Sequence, residues 1–219
     1  DLLFVGKELP EGLEIAESFI TSRKVFSITK TEAEELNFEA ENILASTWNK
    51  TSAISARALL IKAETKLDNL NQYLIYFDAP YYNSIFELDR TETISHAFDS
   101  MILSYQYLLS ELIARIDQKK ENACVFFFIK KAISKTEALL QPNKTINIQP
   151  ASNSVITSQN AFIATAEHFS TFISDRPYLS VVLAKCEPSN ELYNNDKEIG
   201  SWIKQSFDSL ENSKNKQTL

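Results

Sequence analysis

Leu2-Leu3-Phe4-Val5-Gly6-Lys7-Glu8-Leu9-Pro10-Glu11-Gly12 opens the chain, and its reading decides the fold. A short apolar run leads into a turn bracketed by Gly6 and Gly12, two of only three glycines in 219 residues. Soluble proteins average roughly 7% glycine, so glycine is kept here mainly where a strand turns into a helix. A turn of that kind can cradle a dinucleotide phosphate.

Working outward, Leu13, Ala16, Phe19 and Ile20 recur at helical spacing before a second apolar run, Val25 to Ile28. An acidic stretch from Thr31 to Glu41 precedes Ile43-Leu44-Ala45. Thr51 or Ser52 then caps a helix carrying Ile54, Ala58, Ile61 and Leu67. Gln72 to Phe77 reads as the next strand. A long helical pattern from about Thr91 to Gln118 sets Ile94, Phe98, Met101, Leu108, Leu112 and Ile116 on one side. Ala123 to Ile129 is a buried strand, and Lys130 to Ser154, with Pro142 and Pro150, is a loop containing a short helix. A helix over Val155 to Ser174, a strand over Leu179 to Ala184 and a last helix over Lys197 to Leu210 complete the pattern. Residues 1–210 form one domain, with 211–219 as a polar tail.

Alternation of strands and helices predicts α/β architecture: a Rossmann-like, doubly wound parallel sheet flanked by helices on both faces. At 24.9 kDa and 44% apolar residues the chain can build a sizeable core. No run approaches the roughly 20 apolar residues of a membrane span. A net charge of −7 disfavours nucleic acid as a partner. Cys124 and Cys186 lie in or beside apolar runs, which favours reduced thiols and a cytoplasmic location.

Over nearly its whole length the chain resembles the short-chain dehydrogenase/reductase superfamily. Members carry T-G-x-x-x-G-x-G after the first strand, N-A-G after the fourth, a serine after the fifth, Y-x-x-x-K on the following helix and P-G after the sixth. Here these places hold Val5 to Gly12, Asp78-Ala79-Pro80, Ile129-Lys130-Lys131, roughly Ile156 to Asn160, and Pro188-Ser189. The resemblance implies a Rossmann sheet and marks Gly6, Lys7, Pro10, Gly12, Asp78, Ala79 and Pro188 as vestigial positions of an NAD(P) site. Pro10 replaces the middle glycine and offers no N–H, although its fixed φ suits a helix start. Glu8, Glu11 and Glu14 favour a bare helix N-terminus and repel phosphate, with Lys7 a partial offset. Lys30, beyond the second strand, reads as a solvated turn residue rather than a ligand of a 2′-phosphate.

The dyad is missing, for no tyrosine lies between Tyr107 and Tyr178 and no lysine between Lys144 and Lys185. Tyr193 to Lys197 repeats the Y-x-x-x-K spacing after the last core strand, by chance. Ser134, Ser152, Ser154 and Ser158 read as caps and loop residues. His96 and His168 lack a second ligand at metal spacing and read as helix-surface residues, so no metal site is expected. Ser174-Asp175 near His168 has no G-x-S-x-G elbow, which argues against a hydrolase. Glu34-Glu35 and Asp89-Glu92 read as solvated carboxylates, and the sequons at Asn49 and Asn143 matter only for a secreted chain.

The expectation is a catalytically degenerate protein without a catalytic residue or bound cofactor. It would act as a homo-oligomer, or as a non-catalytic subunit beside a related reductase, through Tyr105, Tyr107, Leu108, Leu109, Phe162, Phe169 and Phe172. The alternative is an NAD(P)-dependent carbonyl or hydroxyl oxidoreductase in which Tyr193 or Tyr81 donates the proton. A third is that the vacant cleft takes another small ligand.

Overall fold

A computed structural model describes residues 1–32, 34, 40–86, 91–140 and 150–217. Pro142, the second sequon, Glu35 and Asp89 lie outside the described residues, as does most of the acidic stretch.

Six apolar segments form the strands β1 (Leu2–Val5), β2 (Val25–Thr29), β3 (Ile43–Thr47), β4 (Gln72–Asp78), β5 (Ala123–Lys130) and β6 (Leu179–Cys186). They make one sheet in the order β3-β2-β1-β4-β5-β6, with every neighbouring pair parallel. Because both faces of a parallel sheet are covered, β1, β2 and β4 are buried at every position, which is why they read as continuous apolar runs rather than alternations. The chain steps outward from β1 to β3 and then returns to β4 on the other side of β1. The carboxyl ends of β1 and β4 therefore form a topological switch point, the place where open α/β sheets bind ligands.

Among the described residues the α-helices are α1 (Leu13–Glu17), α2 (Ala53–Lys66), α3 (Ala79–Ile85), α4 (Thr91–Phe98), α5 (Ser104–Lys119), α6 (Lys135–Leu140), α7 (Asn153–Ser170) and α8 (Asp196–Gln217). A doubly wound α/β sheet with helices on both faces is thus observed. Tyr73, Ile75 and Phe77 of β4 join the core beneath α2, α5 and α7, with Phe127, Leu108 and Phe162. Leu74 and Tyr76 face the other way, toward Ile15 and Phe19 near α1 and Ile199, Ile203 and Phe207 of α8.

Of the two expected caps, Ser52 caps α2 by accepting from the Ser55 N–H, while Thr51 bonds the Asn49 side chain in the preceding turn. Other expected features take a different form. Ile54, Ala58 and Ile61 of α2 turn outward, and its buried face is Ala56, Leu59, Leu60 and Ala63. Small residues on that face let the helix lie close to the sheet. The long helical pattern is interrupted by a π-helical turn, Asp99–Leu103, between α4 and α5. Met101, Leu108, Leu112 and Ile116 of the expected stripe are buried and are joined by Tyr105 and Leu109, while Ile94 and Phe98, before that turn, are half-buried. The last helix runs to Gln217, so residues 211–217 continue it instead of forming a tail.

The third glycine shows why the residue is scarce yet placed. Gly200 of α8 crosses α1, and an added Cβ would lie 2.5 Å from Ser18 Oγ and 3.1 Å from the Ile15 Cα. Gly200→Ala is expected to destabilise the protein by about 1–3 kcal/mol through overpacking. A urea melt reads it, and pairing it with Ser18→Gly should recover part of the loss.

Candidate functional site

The switch point brings together Gly6, Lys7, Asp78 and Ala79 of the positions that the resemblance marks. Gly6 ends β1 at φ +122°, and its carbonyl accepts from the Tyr82 hydroxyl at 3.1 Å. The Tyr105 hydroxyl donates to the Tyr76 carbonyl at 2.7 Å, and the two phenol oxygens lie 2.8 Å apart. All three groups fill the space beside Gly6, whose hypothetical Cβ would sit 1.8 Å from the Tyr76 carbonyl oxygen. Close approach of β1 to β4 thus accounts for Gly6 without a phosphate.

Beyond Gly6 the turn stays on the sheet. The Leu9 N–H donates to the Ile28 carbonyl at 2.8 Å, the Gly12 N–H to Glu8 at 2.8 Å and the Leu13 N–H to Pro10 at 3.0 Å. Leu9 is buried, whereas Pro10 is exposed and has no N–H to give. Gly12 stands at the start of α1, where an added Cβ would meet the Lys7 carbonyl at 2.7 Å.

Lys7 turns inward. Its Nζ donates to Asp78 Oδ2 at 2.9 Å and to Asp196 Oδ2, while Lys130 Nζ donates to Asp196 Oδ1 at 2.9 Å. Asp78 also accepts the Tyr81 N–H at 3.0 Å and so caps α3, whose first residue, Ala79, is fully buried. Two cations and two carboxylates, contributed by the ends of β1, β4 and β5 and the first turn of α8, form one neutral cluster. The side chains of Lys7, Lys130 and Asp196 are 10, 11 and 15% exposed, so solvent screens the cluster weakly. Burial alone pushes the Asp196 carboxyl up, and Lys7 and Lys130 more than reverse this, holding it below the ordinary aspartate range. Burial likewise opposes charge on Lys7, and Asp78 and Asp196 overcome it, so its pKa rises.

A second cluster adjoins the first. Glu8 accepts from Lys50 and, at 2.5 Å, from the Tyr81 hydroxyl. Burial disfavours the Glu8 carboxylate, but Lys50 and Tyr81 hold its pKa below the usual value. Burial and then the Glu8 charge push the Tyr81 phenol well up. Glu11 pairs with Lys30, so Lys30 is tied to the turn rather than standing alone in solvent. The glutamates expected to repel an anion are therefore, at Glu8 and Glu11, matched by lysines from β2 and β3 loops.

Other candidates lie apart. Pro188 is half-buried in the turn after β6, where the Asn190 N–H donates to Glu187. Tyr193 is buried and donates to the Lys131 carbonyl at 2.6 Å, with Lys130 Nζ 5.3 Å from its ring centre; Lys197 is exposed. Tyr193→Phe is expected to lower stability by about 1 kcal/mol, the worth of one such bond, as read by denaturant titration. Ser134 and Ser152 cap α6 and α7, and Ser158 bonds the Ser154 carbonyl one turn back. Gln159 of α7, absent from the sequence reading, is buried and accepts the Ala132 N–H at 2.8 Å. His96 and His168 are exposed, and among the described residues no three His, Cys, Asp or Glu side chains form a group able to hold a metal.

A cleft of about 790 Å³ remains open beside the second cluster, above the ends of β2 and β3. Thr29, Lys30, Trp48, Lys50, Tyr81, Phe86 and His96 line it. The Trp48 indole N–H is buried and meets no acceptor among the described residues. No described helix is long and apolar enough to cross a membrane.

No family model matches the chain, and no curated protein matches it in sequence. Solved structures match it in shape. LigO from Sphingobium sp. strain SYK-6, in its apo form, superposes with a TM-score of 0.64 at 10% identity, covering 94% of this chain and 78% of its own. Serine dehydrogenase from Escherichia coli gives 0.64 at 9% identity, with coverages of 92% and 88%. A short-chain dehydrogenase/reductase from Burkholderia phymatum, solved in complex with NAD, gives 0.60 at 10% identity, with coverages of 85% and 65%. These likenesses, together with the observed strand order, give the chain the fold of the short-chain dehydrogenases/reductases.

Proposed function

We propose that this chain is a catalytically degenerate protein of short-chain dehydrogenase/reductase fold that works as a self-associating or non-catalytic partner subunit. The observation that carries the reading is the Lys7–Asp78–Asp196–Lys130 cluster at the switch point. Charged groups that a dinucleotide and its reacting partner would need are satisfied by one another. The residues of the turn do not fit a pyrophosphate either: the N–H groups of Leu9, Gly12 and Leu13 are donated to the chain's own carbonyls. Neither candidate donor is poised, since the Tyr193 hydroxyl is spent on a backbone carbonyl and Tyr81 holds its proton against Glu8.

Titration with NADH and with NADPH tests this reading. The expected result is no saturable binding up to millimolar cofactor, followed by nucleotide fluorescence. Saturable binding in the micromolar range would overturn it.

A second reading, an NAD(P)-dependent oxidoreductase with an unusual proton donor, is favoured by the open cleft, which Tyr81 helps to line. It requires cofactor-dependent carbonyl turnover that Tyr81→Phe removes.

A further inference from the structure

The faces of α5 and α7 expected to meet a partner are taken up within the chain. Tyr105, Leu108, Leu109, Phe162 and Phe169 are buried in its own core, and Tyr107 and Phe172 are half-buried against it. At the switch point the same holds for charge. Asn195 already caps α8, its side chain accepting the Glu198 N–H at 3.1 Å and its carbonyl the Ile199 N–H at 3.0 Å. Asp196 is therefore not needed as a cap, and its carboxylate reaches the sheet instead, where Oδ2 accepts from Lys7 and Oδ1 from Lys130 at 2.9 Å. Asp78 cannot take its place at Lys130, since one Asp78 oxygen accepts from Lys7 and the other from the Tyr81 N–H. Two buried ammonium groups set against Asp78 leave one positive charge over, the charge that a single carboxylate balances.

A third donor stands beside them unused. Tyr76 of β4 is fully buried and stacks on Phe128 with ring centres 5.2 Å apart, yet its hydroxyl has no hydrogen-bond partner among the described residues. Burial, and then the nearby charges of Asp78 and Asp196, push the Tyr76 phenol up, so it keeps its proton and can only be matched by an acceptor.

We propose that Lys7, Lys130 and Tyr76 form a seat for one carboxylate group, and that Asp196 is its tethered occupant, so that the chain closes its own switch point with a built-in ligand. Residues 187–195, the strap from β6 to α8 that carries this carboxylate, are pinned by the Tyr193 hydroxyl on the Lys131 carbonyl at 2.6 Å and by Lys131 on Glu187 at 2.8 Å. A carboxylate suits the seat better than a phosphate dianion, which would bring a second negative charge with nothing to balance it. A free carboxylate fills the seat only where Asp196 does not, because a tethered group competes at an effective concentration on the order of millimolar or above. The inference rests on the reading that the groups at the switch point satisfy one another, and it names the chemistry that does so.

Formate is the group that Asp196→Ala removes, with a hydrogen where the Cβ stood. Urea melts of that variant in sodium formate, against sodium chloride at equal ionic strength, test the seat. The folded-to-unfolded ratio of Asp196→Ala is expected to rise about tenfold for each tenfold of formate above half-saturation, the slope of one bound ion, while the parent chain responds alike to both salts. Adding Lys130→Met to Asp196→Ala should abolish the response, and adding Tyr76→Phe should raise the half-saturating concentration about fivefold through the loss of one hydrogen bond. Should Asp196→Ala not fold unaided, soluble yield on refolding from urea in formate against chloride reads the same outcomes. No advantage of formate over chloride in Asp196→Ala overturns the seat, as does a response that persists with Lys130→Met or is equal in the parent. An unchanged half-saturation with Tyr76→Phe overturns the part given to Tyr76. None of these results bears on the subunit reading, whose own test is the titration with NADH and NADPH.

Discussion

Gly6→Ala is expected to abolish folding, or to lower stability by about 4 kcal/mol or more. Two independent penalties act at once. The backbone at φ +122° is a conformation that residues bearing a Cβ rarely adopt. The methyl group would also stand 1.8 Å from the Tyr76 carbonyl oxygen, part of the β4 backbone, which cannot rotate aside as a side chain can. Relief requires β1 and β4 to separate at the centre of the sheet, and the Tyr82 and Tyr105 hydroxyl contacts would be lost with it. Effects of this size arise from few mechanisms, strain at a special backbone angle and core overpacking among them. Soluble yield and a urea melt check the expectation. Tolerance of Gly6→Ala would mean that this turn is looser than described and open to a ligand after all.

Asp196→Asn should be the next most damaging change, lowering stability by about 3 kcal/mol. It removes the carboxylate shared by Lys7 and Lys130. Lys7 keeps Asp78, but Lys130 is left as a largely buried cation beside the Tyr193 ring, without a carboxylate partner among the described residues. Removing one partner of a buried pair leaves an uncompensated charge, whereas removing both can be nearly neutral. Adding Lys130→Met to Asp196→Asn should therefore recover more than half of the loss. If the double variant is as unstable as the sum of the single ones, charge balance is not what holds this end of the fold.

The pH dependence follows from this cluster and the adjoining one around Glu8. Asp196 and Glu8 have folded pKa values below their ordinary 3.8 and 4.5, so their stabilisation is present above those values and is lost as pH falls through the folded ones. Lys7 has a raised pKa, so its share is present below the ordinary 10.5 and is lost as pH rises through the folded value. Chemical melts across pH should show a plateau between 4.5 and 10.5 from these groups, with a shallower acid limb in Asp196→Asn.

The strands were readable from sequence, for β1, β2, β4 and β5 were bounded to within a residue or so by their apolar runs. Burial on both faces writes a local signal that needs no neighbour to interpret. The faces of helices were less readable. Periodicity marks a stripe on α2 through Ile54, Ala58 and Ile61, but the stripe one residue round, with its two alanines, is the one that fits the sheet. The π-helical turn before α5 has no periodic signature at all.

At the candidate site, the resemblance marks Gly6, Lys7 and Asp78, and the structure brings them together. Lys50, Lys130 and Asp196 were not found. Each is an ordinary charged residue in its local sequence, and Lys7 and Asp196 are 189 positions apart. A lysine closing a buried strand, as at Lys130, was the one available hint.

Local composition, acting over a few residues, determined where strands form and hence that they stack in parallel with helices between them. Only the tertiary structure decided what the carboxyl edge of the sheet contains. Charges attract through space rather than along the chain, and strand order alone chooses which of them converge. The same holds for glycine: the sequence marks where it is kept, but whether the missing Cβ makes room for a phosphate or for the Tyr76 carbonyl depends on which backbone passes beside it.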